Sequence, residues 1–213
     1  METNILKIAL LLTGLTEKNK LDININNINK LKNIDIYVHT WNKISIRSGL
    51  YHRNLIDYDM HSIYNKISNL KDILIEDQSE IYNKYKRDID LFLRHKFDKK
   101  NKKRTLVNSW YQIYSIHKVN DLKNKSGIKY DIIIRARLDK SVELLNIFRN
   151  NNITDIFKNN HTMHIKDRII IGTDKKLSPL FSESFTKIND FYYVEKKYPR
   201  FLIDRFIFNE IIS

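Results

Sequence analysis

The residues best equipped for chemistry lie in Tyr130-Asp131-Ile132-Ile133-Ile134-Arg135-Ala136-Arg137-Leu138-Asp139. The stretch opens as an unbroken apolar run, the pattern of a strand covered on both faces. From Arg135 onward polar and apolar residues alternate. A strand's period of two places Arg135, Arg137 and Asp139 on one face and turns Ala136 and Leu138 to the other. Two guanidiniums and a carboxylate at the carboxyl end of a buried strand are costly to leave unpaired. Two arrangements satisfy them: an internal Arg–Asp ion pair, which is often structural, or an anion and metal site. The surrounding elements have to decide between the two.

Those elements begin with Lys7-Ile8-Ala9-Leu10-Leu11-Leu12-Thr13-Gly14, a buried strand running into a turn. Gly14 permits a positive φ or the close approach of a ligand to the backbone. Leu21, Ile25 and Ile28 then have helical spacing, although Ile23 and Ile25 also fit a strand. Asn33 to Asn42 reads as a second strand, its β-branched and aromatic residues ending in His39, Thr40 and Trp41. Residues 43–59 show no clear period and contain Gly49, so a long loop is predicted. A short helix within His61 to Asn69 leads to a third strand at Lys71 to Glu76. Asp77 with Glu80 marks a helix start of capping-box type, and Ile81, Tyr85, Ile89 and Phe92 form its apolar face.

A basic run from Lys99 to Arg104 follows, readable as a solvated linker or as a contact for an anionic polymer or membrane. Thr105 to Lys125 carries a broad apolar face and is predicted as a buried helix, stopped at Gly127. Beyond Asp139 come a short helix, two short strands at Met163–Ile165 and Arg168–Thr173, and a helix opened by Ser178-Pro179. A last amphipathic helix is predicted from Arg200.

The chain has 213 residues, enough for one well-filled core or at most two small ones. With 42% apolar and 11% aromatic residues, wholesale disorder is excluded. There is no cysteine, so disulfides and thiolate metal sites are excluded too. The first apolar run, Ile8 to Leu12, is too short for a secretory signal or a membrane span, and a soluble, cytoplasmic protein is expected. The net charge of +13, from 38 basic and 25 acidic residues, suits polyanionic partners. A bias toward Lys, Asn and Ile, all with A/T-rich codons, accounts for part of that excess.

Strand and helix signals alternate from residue 7 to residue 172, which predicts an α/β fold with a mainly parallel sheet flanked by helices. Ligands of such sheets gather beyond the carboxyl ends of the strands. Thr13-Gly14, His39-Thr40-Trp41 and Arg135-Arg137-Asp139 then share one rim. Their coincidence favours a functional site over three unrelated structural features.

In that order, with Asp35-Ile36-Tyr37-Val38-His39-Thr40-Trp41, Ser109-Trp110-Tyr111-Gln112-Ile113-Tyr114 and Asp167-Arg168-Ile169-Ile170-Ile171-Gly172, the chain resembles a family of nucleotide-sugar glycosyltransferases of GT-A type. The family occurs in polysaccharide gene clusters and in large DNA viruses, so a viral member would act in the host cytoplasm. The likeness spans roughly residues 7 to 172. It implies one Rossmann-like GT-A domain over 1–213, with a nucleotide-sugar part at about 1–140 and an acceptor side at about 141–213. A sugar would pass from a nucleoside-diphosphate donor, a UDP-sugar favoured, to a glycan hydroxyl.

On this resemblance Thr13, Gly14, His39, Trp41, Arg135 and Arg137 border the donor. Asp139 would hold Mn²⁺ or Mg²⁺ against the diphosphate, and Asp167 would serve as base at the acceptor. The chain departs from the family pattern at Thr16-Glu17-Lys18, where relatives often have an arginine. It departs again at Arg137, which stands for the first aspartate of Asp-x-Asp. A leaving diphosphate needs fixed positive charge, which a cation on one aspartate or bidentate arginines would supply. The rival reading is a basic nucleic-acid or polyanion-binding module without catalysis. It leaves the polar strand tips unexplained, and no common nucleic-acid motif is present, so nucleic acid is not the expected partner.

Overall fold

A computed structural model describes residues 6–14, 17–48, 52–94, 102–150, 153, 162–165 and 169–186. Its strands are β1 (Ile8–Thr13), β2 (Ile34–Trp41), β3 (Lys43–Ser48), β4 (His52–Asp57), β5 (Leu70–Glu76), β6 (Ile132–Arg137), β7 (Met163–Ile165) and β8 (Ile169–Thr173). Its helices are α1 (Leu21–Asn29), α2 (Met60–Tyr64), α3 (Gln78–Lys84), α4 (Lys86–Arg94), α5 (Lys102–Lys125), α6 (Ser141–Asn150) and α7 (Asp174–Thr186).

Six of the described strands form one sheet in the order β5-β2-β1-β6-β8-β7. β5, β2, β1 and β6 are mutually parallel, whereas β8 runs antiparallel to both β6 and β7. The fold is therefore mixed α/β with a mostly parallel sheet, and consistent with a Rossmann-like arrangement. The chain moves outward from β1 to β2 to β5, then returns through α3, α4 and α5 to place β6 on β1's other side. That reversal makes the β1–β6 junction a topological switch point, where open α/β sheets bind ligands.

The central strands are apolar on both faces because both faces are covered. Ala9, Leu11, Tyr37 and Ile133 point to one core with Trp110, Tyr114 and Val119 of α5 and Leu177 and Phe181 of α7. Leu10, Leu12, Val38, Ile132 and Ile134 point to the other, with Ile25 and Ile28 of α1, Ile63 of α2 and Leu144 of α6. On this period Thr13, His39, Arg135 and Arg137 belong to the α5 face.

Four expectations change. Residues 43–48 and 52–57 are not loop but the antiparallel hairpin strands β3 and β4, with Lys43 opposite Asp57 and Ile44 opposite Ile56. Ile44 is buried and Ile56 packs against the same core, which gives the hairpin its anchorage. The helix after Asp77 is two helices. The backbone leaves helical geometry at Tyr85, whose ring is packed among Trp110, Tyr114 and Phe185 at 5.5, 5.6 and 5.5 Å.

The helix predicted to open at Pro179, with Ser178 as its cap, begins five residues earlier, at Asp174, so Pro179 lies inside it. Ser178 is gripped from α5 instead: Asn120 Nδ2 donates to its carbonyl at 3.0 Å, and Lys123 Nζ donates to its hydroxyl at 3.2 Å. Finally, β6 stops at Arg137, and residues 138–140 form a 3-10 turn. Asp139 therefore does not share the strand's face. The helix predicted from Arg200 lies outside the described residues.

Candidate functional site

Register builds the rim. Thr13 on β1 stands opposite His39 on β2 and Arg137 on β6, while His39 stands opposite Leu74 and Trp41 opposite Glu76 on β5. The polar tips predicted from sequence thus share one edge of one sheet, though at two depths.

The deeper layer lies beneath α5. Arg135 is fully buried and its Nη2 donates to Thr13 Oγ1 at 3.1 Å. His39 is also fully buried. Its Nε2 lies 2.8 Å from Glu76 Oε2, and Glu76 Oε1 accepts from the Tyr114 hydroxyl at 3.0 Å. Burial pushes the His39 pKa down against the pull of Glu76. Burial alone would raise the Glu76 carboxyl, but its bonds to His39 and Tyr114 outweigh that and hold it below the usual range.

A neutral imidazole beside an ionised carboxylate fixes the tautomer: Nε2–H donates, and Nδ1 is left as a lone pair. Nδ1 is buried without a hydrogen-bond partner. The ring meets Trp41 edge-on at 5.0 Å and Tyr114 at 5.7 Å. Trp41 is itself buried, 5.3 Å from Tyr111 and stacked on Tyr114 at 6.1 Å. Thr13, His39, Trp41 and Arg135 therefore support the rim from below and do not form its surface.

Gly14, Arg137 and Asp139 make up the upper layer. Gly14 has φ of +98°, a conformation that side-chain-bearing residues rarely adopt. Apart from its chain neighbours, no described atom lies within 4 Å of where a Cβ would stand. Its carbonyl accepts from Thr40 Oγ1 at 3.2 Å, which ties the turn to the end of β2. Arg137 Nε donates to Asp139 Oδ1 at 3.0 Å, and Nη2 donates to Oδ2 at 2.9 Å. Their side chains are 34% and 26% exposed, so this fork faces water.

The Arg–Asp ion pair considered from the sequence is thus present, and it stands at the switch point beside the glycine turn. As arranged, each Asp139 oxygen accepts one hydrogen bond from Arg137. Among the described residues no three His, Asp or Glu side chains are grouped so as to hold a metal ion.

Asp167 lies outside the described residues. Glu76 and Tyr114 are part of the site's foundation and were not named from sequence as site residues. The signal for Glu76 was available, since it is the polar tip of the third parallel strand. Comparison with protein-family models, curated proteins and solved structures finds no match to this chain.

Proposed function

We propose that the chain is a glycosyltransferase of GT-A type, binding the diphosphate of a nucleotide-sugar across the β1–β6 switch point. One observation carries the reading: an uncrowded glycine turn and a solvent-facing guanidinium, Gly14 and Arg137, meet at the crossover of a mostly parallel sheet. A phosphate needs backbone that can approach closely and a planar cation that contacts two oxygens at once. In the reaction an acceptor hydroxyl oxygen bonds to the anomeric carbon while the bond from that carbon to the diphosphate breaks. The nucleoside diphosphate leaves with the electron pair, and the hydroxyl proton passes to a carboxylate, for which Asp167 is the candidate. Fixed positive charge at Arg137 lowers the barrier by stabilising the leaving oxygens.

Thermal melts with UDP-, GDP- and dTDP-sugars, each with MnCl₂ or EDTA, test the reading. One nucleotide class is expected to raise Tm by about 5–10 °C at a hundredfold excess over Kd. No response to any nucleotide in either buffer overturns it.

A further inference from the structure

Where α3 gives way to α4 the chain forms an open groove of about 620 Å³, lined by Asn83, Lys84, Lys86, Arg87, Asp90 and Leu91. Asn83 and the three cations are exposed, whereas Asp90 and Leu91 are half-buried and lie deeper. Lys84 ends α3, and its Nζ sits over the Tyr85 ring, 5.4 Å from the centroid. That ring is fixed among Trp110, Tyr114 and Phe185, so the joint between the helices is anchored in the core.

Two features of the groove run against local preference. Lys86 and Arg87 open α4, where positive charge opposes the helix dipole. Asp90 stands four residues after Lys86 and three after Arg87, the spacings at which helical ion pairs form. Among the described residues, however, no ion pair joins Lys84, Lys86 or Arg87 to Asp90. Local conflicts of this kind are characteristic of functional surfaces.

Three cations around one deeper carboxylate suit a ligand that carries both anionic groups and hydroxyl donors. Anionic groups meet the two ammoniums and the guanidinium, and Arg87 can take two oxygens at once. A hydroxyl donates to Asp90, which when ionised only accepts. A nucleic-acid strand fits less well. Its phosphates accept and do not donate, and none of the six lining residues is aromatic, so bases find no surface to stack on.

We propose that this groove is a subsite for an acidic glycan, with Lys84, Lys86 and Arg87 binding its anionic groups and Asp90 accepting from its hydroxyls. The proposal rests on the glycosyltransferase reading and names the class of its acceptor. Asp77, which caps α3, is bonded to Asn42 at the end of β2. The seven residues of α3 then carry the chain about 10 Å to Lys84. A polymeric acceptor can therefore lie in the groove while its end reaches the strand tips.

Calorimetric titration of the full chain with four probes is the test: an oligogalacturonate, a chondroitin sulfate oligosaccharide, a neutral maltooligosaccharide of the same length, and oligo-dT of matched charge. At least one acidic oligosaccharide is expected to bind about tenfold or more tighter than both the neutral sugar and oligo-dT. The two acidic probes separate carboxylate from sulfate recognition. Lys86→Ala with Arg87→Ala should weaken that binding by about tenfold or more. Asp90→Ala should weaken it by about threefold, whereas simple attraction of a polyanion would tighten when this negative charge is removed. Asp90→Asn, which also removes the charge, gives the same test of sign should Asp90→Ala fail to fold.

Tighter binding in the Asp90 variants, or oligo-dT binding equal to that of the acidic sugars, makes the groove a general polyanion surface and sinks the inference. Saccharide binding that ignores the Lys86 and Arg87 substitutions sinks it as well. If the wild-type chain responds to a nucleotide-sugar in the thermal melts but binds no acidic oligosaccharide, this inference falls and the donor reading stands. A chain that binds the acidic sugar but responds to no nucleotide-sugar loses the donor reading, and the acceptor role falls with it.

Discussion

His39 sets the acid sensitivity of the rim. Its folded pKa lies below the ordinary 6.5, with burial the largest cause. Above pH 6.5 the folded and unfolded chains are both neutral at this residue, and its contribution to stability is fully present. As pH falls through 6.5 the unfolded chain gains a proton that the buried ring resists, so stability is lost toward the lower folded value. Glu76 acts in the same direction at lower pH. Its folded pKa is below the ordinary 4.5, so its stabilisation is present above 4.5 and is lost as pH falls through the folded value. His117, lowered chiefly by burial despite Asp121, adds a second slope of the His39 kind. Melting wild type and His39→Asn from pH 8 to pH 5 should show a shallower decline in the variant, with His117 supplying the remainder. Parallel curves would remove His39 from the account. At this scale the sequence was readable where period decided the answer: Arg135 and Arg137 do share a face. Asp139 was misplaced because alternation cannot report where a strand ends, and here the chain turns into a 3-10 turn after Arg137. Burial of His39 and Trp41 under α5 was not readable either, since it depends on a helix far away along the chain.

Elements meet the rim through their caps. Asp77 opens α3, its Oδ1 accepting from the Ser79 and Glu80 amides at 2.6 and 3.1 Å. Its Oδ2 accepts from Asn42 Nδ2 at 2.8 Å, which joins the helix start to the end of β2. These bonds, that from Ser79 foremost, hold the carboxyl well below its usual range. Asp77→Ala should cost about 1 kcal/mol in urea unfolding, and Asp77→Asn clearly less, because Asn is an equally good cap. Equal losses would show that charge, and not cap geometry, is what matters. This cap was legible from Asp77 and Glu80 alone, since capping is local chemistry. The hairpin was missed for the opposite reason. Ile44 and Ile46 have a strand's period, but residues 52–57 lack one, and a hairpin exists only when both halves pair. The start of α7 was misread because Pro179 is favoured at a first turn, whereas here it is accommodated inside a helix whose Ser178 is held by α5.

The whole molecule depends on α5 staying seated over the buried Arg135–Thr13 and His39–Glu76 contacts. Alternation of strand and helix made the parallel core legible, but nothing in the apolar run of Ile169–Thr173 states its direction. Its antiparallel place beside β6 comes from tertiary pairing. Among the described residues no helix is long and apolar enough to cross a membrane; the apolar face of α5 packs against this sheet and α7. An ion pair reinforces the apolar and hydrogen-bonded packing of α5 on α7. Lys123 is 2% exposed, and its Nζ pairs with Asp174, the first residue of α7, and donates to Ser178. A buried ammonium that loses its carboxylate is worse than no charge at all, so Asp174→Ala should cost about 3 kcal/mol, while Lys123→Met with Asp174→Leu together should recover much of that loss. Urea unfolding of the two singles and the double measures the coupling, and additive losses would show that the pair is dispensable. Pyrophosphate affinity of the folded fraction should be unchanged in the double variant, because the clamp secures the roof over the rim without contributing a group to its surface.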